Sequence, residues 1–138
     1  MATGPSVLIV DDEPAIRTLA ARAFGDHRWD VYGAANGKEA VRILEGTPID
    51  VVVTDIVMPD MDGVEVIVQI KRRWPKIKMI AMSGGGRINP EDFLNIARAL
   101  GVEATFTKPV NFNDIVIAAK QAIVAVLLER QDVASVTQ

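Results

Sequence analysis

The sequence predicts an α/β fold, in which a parallel β-sheet carries helices on both of its faces. Short apolar runs rich in branched residues alternate with longer segments whose apolar residues recur at helical spacing. Five segments of each kind follow one another along the chain. Because the connection between two parallel strands is right-handed, this alternation leaves few topologies.

Turn and capping residues separate the first four elements. Strands are expected at 7–10, where a short apolar run is rich in branched residues, and at 31–34. Pro14 suits the first position of the first helix, and Gly25 is expected to end that helix. Asn36, with Glu39 three residues later, resembles a capping box that begins the second helix.

The remaining elements are bounded in the same way. Strands are expected at 51–54, 79–82 and 104–107. The third helix follows Gly63 and ends at Trp74, which precedes a proline. The fourth helix begins at Asn89-Pro90-Glu91 and ends near Gly101. The last helix is expected from Asn113 to about Arg130.

Composition limits the class of protein. The chain has 138 residues, of which 49% are hydrophobic, so we expect one domain at 6–130 with flexible termini at 1–5 and 131–138. The absence of cysteine excludes disulfides and thiol chemistry. A net charge of -3 argues against a nucleic-acid surface. With neither a bilayer-spanning run nor a signal-peptide pattern, a cytoplasmic protein without membrane contact is expected.

Polar side chains follow four of the five predicted strands. Asp11 and Asp12 follow the first strand, Asp55 the third, Ser83 the fourth and Lys108 the fifth. The carboxyl ends of parallel strands meet at one edge of a sheet, where open α/β sheets bind their ligands. We therefore expect these five side chains to share one crevice.

Three close carboxylates point to a metal site. They repel one another, so either one takes up a proton or a cation binds. Oxygen ligands without histidine or cysteine favour Mg²⁺, with Mn²⁺ as the alternative, and Mg²⁺ typically also takes phosphate oxygens. Lys108 and Ser83 could each donate a hydrogen bond to a phosphoryl oxygen.

Each signal alone has a purely structural interpretation. The acidic run at 11–13 could stabilise a helix N-terminus, and Asp55 could belong to a turn. Ser83 could be part of a glycine-rich loop, and Lys108 could be a solvated lysine. Their joint occurrence in this order favours a single site.

The chain resembles the receiver domains of response regulators in two-component signalling, in their stand-alone form. The motifs that carry the resemblance are VLIVDDE, VTDIVMPDMDG, MSGGG and TKP, within residues 6–130. The family implies a flavodoxin-like (βα)5 three-layer sandwich with strand order 2-1-3-4-5. It also implies a phosphorylation-dependent signalling switch, not an enzyme in the usual sense.

Family roles can be transferred to matching positions. Asp55 matches the phosphoacceptor, which takes its phosphoryl group from a sensor histidine kinase or a histidine phosphotransfer protein. Asp11 and Asp12 match the acidic pair that holds Mg²⁺, and Val57 would add its backbone carbonyl. Lys108 matches the lysine that contacts a phosphoryl oxygen.

The resemblance has further implications. Ser83 matches the switch hydroxyl, and the bond between Lys108 and Pro109 is expected to be cis. Neither Val57 nor Gly85, at the positions that tune dephosphorylation, can orient water, so a long-lived acyl phosphate is expected.

The chain departs from the family at the switch aromatic. Thr105 stands where Tyr or Phe is usual, and strand alternation directs the next residue, Phe106, to the opposite face. Signalling through the flexible Gly84-Gly85-Gly86 loop is therefore our hypothesis.

The last helix is apolar on more than one face. Ile115, Ala119, Ala122, Ile123 and Val126 form a stripe that should face the sheet, whereas Ile117, Val124 and Leu128 lie on another face. The second stripe predicts an interface with a downstream protein or in a homodimer, unless the C-terminal tail covers it.

Two other functions remain open at this point. A pseudo-receiver would act as a docking module without phosphorylation, which the change at Thr105 keeps under consideration. An aspartyl-nucleophile phosphatase would need a second aspartate two residues after Asp55, where this chain has Val57. The sequence names neither the kinase nor the stimulus.

Overall fold

The computed structural model describes residues 4–56, 63–84 and 90–137. Strands and helices alternate as predicted. The strands are β1 (Ser6–Val10), β2 (Asp30–Ala34), β3 (Val51–Asp55), β4 (Lys78–Ser83) and β5 (Ala104–Thr107). The helices are α1 (Pro14–Asp26), α2 (Gly37–Gly46), α3 (Gly63–Arg73), α4 (Pro90–Ala99) and α5 (Phe112–Thr137).

The strands form one parallel sheet in the order β2-β1-β3-β4-β5, which confirms the predicted fold class and strand order. Strand order reverses between β1 and β3, so the carboxyl ends of these neighbouring strands flank the crevice expected in such sheets. Asp11 and Asp55 lie at these two ends.

Two apolar cores fill the spaces between the sheet and its helices. One lies under α2, α3 and α4, with buried residues such as Leu44, Ile67 and Ala97. The other lies under α1 and α5, where Phe24 and Ile115 are fully buried. The sheet therefore separates two helical layers, which gives the predicted three-layer sandwich.

Helix ends follow the predicted chemistry in α2 but not in α1. The Asn36 side chain accepts a hydrogen bond from the Glu39 backbone N–H, while the Glu39 carboxylate accepts one from the Ala35 N–H. Gly25 does not end α1, which continues to Asp26, and the left-handed residue that follows is Arg28 with φ 66°. Glycine has no special advantage at a position that stays helical.

The last helix is longer than predicted and exposes part of its second stripe. α5 continues to Thr137 instead of ending near Arg130. Ile115, Ala119 and Ala122 are buried, whereas Ile117 is 54% exposed and Val124 is 51% exposed. Val126 and Leu128 lie beyond the part of α5 whose side chains the structure describes.

Candidate functional site

The predicted polar residues gather at the carboxyl edge of the sheet. Asp55 is the last residue of β3, Ser83 is the last of β4, and Asp11 and Lys108 directly follow β1 and β5. Carboxylate oxygens of Asp11, Asp12 and Asp55 lie within 4.8 Å of one another. The structure thus places these five predicted site residues at one edge of the sheet.

Lys108 joins the carboxylates of two different strands. Its Nζ lies 2.9 Å from Oδ2 of Asp11 and 3.0 Å from Oδ2 of Asp55. The side chain of Asp11 is fully buried and that of Asp55 is 6% exposed, so neither is well solvated. The ammonium therefore compensates two buried negative charges.

The surroundings of Lys108 act on its pKa in opposite directions. Burial lowers the pKa of the ammonium, but hydrogen bonds and charges from Asp11 and Asp55 outweigh burial. The pKa of Lys108 therefore lies above its ordinary value of 10.5, and the side chain stays protonated at neutral pH.

The acidic cluster fits a hard divalent cation. Its ligands are carboxylate oxygens alone, from the buried Asp11 and Asp55 and the exposed Asp12. Mg²⁺ and Mn²⁺ prefer such oxygen ligands, whereas thiolate or imidazole ligands would favour other metals. The expected carbonyl ligand, Val57, lies outside the described residues.

Ser83 carries a buried hydroxyl that lacks a hydrogen-bond partner. Its residue is 1% exposed, and Oγ makes no hydrogen bond in the described parts of the chain. Leaving a buried donor unpaired costs free energy, so such groups often mark positions where a ligand atom binds. A phosphoryl oxygen would satisfy this hydroxyl.

Glycine allows close approaches beside two site residues. A Cβ at Gly84 would lie 2.7 Å from Cβ of Lys108 and 2.9 Å from its backbone nitrogen. The Lys108 N–H donates to the Ser83 carbonyl at 2.7 Å. On the other side of the site, a Cβ at Gly63 would overlap the backbone of Ile56. The cis bond between Lys108 and Pro109 is present as predicted.

Three hydrogen bonds hold the loop after β1 in place. The Asp11 N–H donates to the Ala34 carbonyl, and the Glu13 N–H donates to Oδ1 of Asp11. On the opposite side, the Arg17 guanidinium donates to the Asp11 carbonyl at 2.7 Å. Arg17 was not among the predicted site residues, because its only signal in the sequence is a basic residue near the start of a helix beside three carboxylates.

Thr105 occupies a polar position beneath α4. Its hydroxyl accepts a hydrogen bond from Nε of Arg98 at 3.1 Å. Phe106 packs on the other face of the sheet, with the core under α1 and α5, which confirms the predicted alternation. The hypothesis that signalling uses the glycine loop concerns mainly Gly85 and Gly86, and these two residues lie outside the described part of the chain.

The fold and the arrangement of these polar residues are typical of one class of protein, and comparison with known families identifies that class. The response regulator receiver domain family matches residues 7–120. The chain belongs to this family, whose members act in signalling as phosphoryl acceptors.

Particular relatives support the assignment. The sensor kinase CckA of Brucella abortus is 36% identical over 92% of this chain, which spans only 13% of that kinase. Sporulation initiation phosphotransferase F of Bacillus subtilis is 32% identical, with 83% of this chain and 90% of the relative covered.

Among solved structures, a response regulator receiver domain protein from Clostridium thermocellum superposes with a TM-score of 0.81 at 29% identity. That comparison covers 91% of this chain and 98% of the other. Within the described residues, no helix is both long and apolar enough to cross a membrane.

Proposed function

We propose that this chain is a phosphorylation-dependent signalling switch in which Asp55 accepts a phosphoryl group in the presence of Mg²⁺. The donor is a phosphohistidine on a sensor histidine kinase or a histidine phosphotransfer protein. The observation that carries the proposal is the Lys108 ammonium, which lies 2.9 Å from Asp11 and 3.0 Å from Asp55 beside the acidic cluster.

The reaction is an in-line transfer. A carboxylate oxygen of Asp55 attacks phosphorus, the P–N bond of the phosphohistidine breaks, and its electron pair leaves with the imidazole. The product is an acyl phosphate on Asp55. Asp11, Asp12 and Asp55 would hold Mg²⁺, which supplies positive charge to the phosphoryl oxygens when it is bound.

The remaining site residues stabilise the transferred group. Lys108 already points its ammonium at Asp55, so it can contact a phosphoryl oxygen after a small shift. The Ser83 hydroxyl, buried without a partner in the described chain, can donate to another phosphoryl oxygen. Positioning and charge neutralisation of this kind account for most of catalysis in phosphoryl transfer.

The acyl phosphate should be long-lived. Neither the aliphatic side chain of Val57 nor Gly85 can hydrogen-bond an attacking water. We therefore expect the phosphorylated chain to persist well beyond a few seconds in Mg²⁺, as followed by intact mass after removal of the donor. A complete loss within a few seconds would contradict this expectation.

The output surface in this proposal is the exposed stripe of α5. Ile117 and Val124 are about half exposed and lie two helical turns apart on one face. Exposed branched side chains at this spacing suit a downstream protein or a second copy of the chain.

The test is intact mass after incubation with Mg²⁺ and acetyl phosphate. We expect the wild-type chain to gain the mass of one phosphoryl group, and Asp55→Asn to gain none. The control is Asp50→Asn, because Asp50 lies at the opposite end of β3. A wild-type chain that binds Mg²⁺ but gains no mass, even from a phosphorylated kinase, would instead favour a docking module that acts without phosphorylation.

A further inference from the structure

Arg17 contacts the peptide that connects Asp11 and Asp12, the two candidate metal ligands in the loop after β1. Its Nη1 donates a hydrogen bond of 2.7 Å to the carbonyl oxygen of Asp11. That carbonyl belongs to the peptide unit between Asp11 and Asp12. Because a peptide unit is planar, a contact that fixes its carbonyl also fixes the direction in which Asp12 leaves it.

The side chain of Arg17 is itself held in place. A methyl group added at Gly33 would lie 3.5 Å from Cδ of Arg17, so the aliphatic part of the arginine runs over the bare backbone of β2. The neighbouring Ala34 carbonyl accepts the Asp11 N–H at 3.0 Å. The loop is thus attached to β2 on one side and to α1 on the other.

The two carboxylates differ in how much they need this support. Asp11 is fully buried, and its Oδ1 also accepts the Glu13 N–H, so several contacts determine its orientation. Asp12 is exposed, so we infer that its backbone mainly determines its direction. Repulsion within the acidic cluster would turn an exposed carboxylate outward unless the backbone directs it inward.

We propose that Arg17 is a positioning residue, which orients the peptide between Asp11 and Asp12 so that both carboxylates converge on a divalent cation. The inference rests on the proposed function, since it takes Asp11 and Asp12 as Mg²⁺ ligands. Arg17 acts through the backbone and touches neither the cation nor the phosphoryl group.

The charge of Arg17 and its hydrogen bond should affect Mg²⁺ affinity in opposite directions, so an experiment can separate them. A guanidinium close to a cation site repels the cation, so removal of its charge alone would strengthen Mg²⁺ binding. Removal of its hydrogen bond would weaken binding, because the ligand carboxylates would no longer be held together. The direction of the change therefore distinguishes the two effects.

The experiment measures Mg²⁺ affinity by isothermal titration calorimetry for wild type, Arg17→Met and Arg17→Lys. We expect Arg17→Met to weaken binding about tenfold or more, as loss of a group that orients metal ligands does. Lysine can also donate to a carbonyl, so Arg17→Lys should recover most of the affinity. Arg22→Met, at an exposed arginine of the same helix, should leave it unchanged.

Phosphorylation and unfolding provide the second readout. At saturating Mg²⁺, Arg17→Met should be phosphorylated by acetyl phosphate at a rate close to wild type, because the added cation restores the ligand geometry. Equal or tighter Mg²⁺ binding by Arg17→Met would overturn the inference. The inference would also be overturned if both variants lost Mg²⁺ affinity only in proportion to their loss of unfolding temperature, measured in metal-free buffer. Such a result would indicate general destabilisation. If wild type binds no Mg²⁺, the metal site of the proposed function fails, and the inference fails with it.

Discussion

The unpaired hydroxyl of Ser83 allows function to be separated from stability at a single residue. Ser83→Ala should raise the free energy of unfolding by about 1 kcal/mol, since the buried hydroxyl costs free energy and has no partner in the described structure. Phosphorylation by acetyl phosphate should nevertheless be slower, because a donor to a phosphoryl oxygen is lost. Urea denaturation and intact mass provide the two measurements.

Thr54→Val is the matched control for Ser83→Ala. The Thr54 hydroxyl is also buried, but it donates to the Asp55 carbonyl at 3.0 Å. Its removal should cost about 1 kcal/mol of stability. If Ser83→Ala proved as destabilising as Thr54→Val, the Ser83 hydroxyl would have a structural partner after all.

Replacement of Lys108 should separate protein stability from metal affinity. Lys108→Met leaves the buried carboxylates of Asp11 and Asp55 without their common cation, which should cost about 3 kcal/mol of stability in metal-free buffer. The same change removes a cation that competes for these oxygens, so Mg²⁺ affinity should rise while phosphorylation slows. Unchanged stability in the variant would show that the two ion pairs contribute little.

The pKa of Lys108 sets the pH range of this effect. Because that pKa is raised in the folded protein, the stabilisation is complete below pH 10.5 and is lost only as pH rises through the folded value. The stability difference between wild type and Lys108→Met should therefore not vary between about pH 7 and 9 on account of this lysine. Urea denaturation at several pH values in that range checks this.

At the residue scale, the sequence predicted which polar residues meet at the edge of the sheet but not the contacts among them. Asp11, Asp55 and Lys108 could be predicted because each directly follows an apolar run, and parallel strands bring such positions together. The contact of Arg17 with the Asp11 carbonyl depends on a rotamer and on the bare backbone at Gly33. Neither leaves a periodic signal in the sequence.

At the scale of elements, the ends of β4 and β5 approach closely at Gly84. In Gly84→Ala the added methyl group would lie 2.7 Å from Cβ of Lys108 and 2.9 Å from its backbone nitrogen, so one of the two segments must move. We expect phosphorylation to slow about tenfold or more, since small displacements of catalytic groups have effects of this size. The rate of mass gain with acetyl phosphate measures the effect.

Gly25→Ala provides the control for Gly84→Ala. Gly25 lies in α1, and a Cβ there would meet nothing within 4 Å. Alanine is the better helix former, so this variant should be stabilised by about 0.5 kcal/mol and phosphorylated normally. A Gly84→Ala variant as active as Gly25→Ala would show that the segments can separate without disturbing Lys108.

The types of the elements could be predicted because their apolar residues recur at clear helix or strand spacing. The ends of the elements were less predictable. The capping box at Asn36 is a local signal and was recognised correctly. The end of α1 was assigned to Gly25, but the chain turns at Arg28, where two local backbone hydrogen bonds close the turn, from Arg28 N–H to the Gly25 carbonyl and from Trp29 N–H to the Phe24 carbonyl. α5 continues beyond its predicted end because the sequence from 131 to 137 contains no helix-breaking residue.

At the scale of the whole molecule, the exposed stripe of α5 predicts association. If the partner is a second copy, sedimentation should show a concentration-dependent increase in mass that the double variant Ile117→Glu and Val124→Glu abolishes. Both side chains are about half exposed, so the variant should remain folded and accept a phosphoryl group. If the wild-type chain stays monomeric with and without the phosphoryl analogue beryllofluoride, the homodimer is excluded. A downstream protein would then be the expected partner of the stripe.

The strand order could be predicted from the motifs because the family resemblance covers nearly the whole chain. The arrangement of the two cores then follows from the strands, whose apolar residues alternate between the two faces. How phosphorylation changes the shape could not be predicted. The aromatic position holds Thr105, which is joined to Arg98, and no sequence pattern says how that pair responds.

The position of β5 at the edge of the sheet has a consequence for the behaviour of the protein at high concentration. An edge strand offers unpaired backbone groups to which a strand of another molecule can add. β5 is only 4 residues long, and Pro109 follows shortly after it, where the missing N–H of proline opposes such pairing. The shortness of β5 and the proline after it thus leave little of this edge open to aggregation.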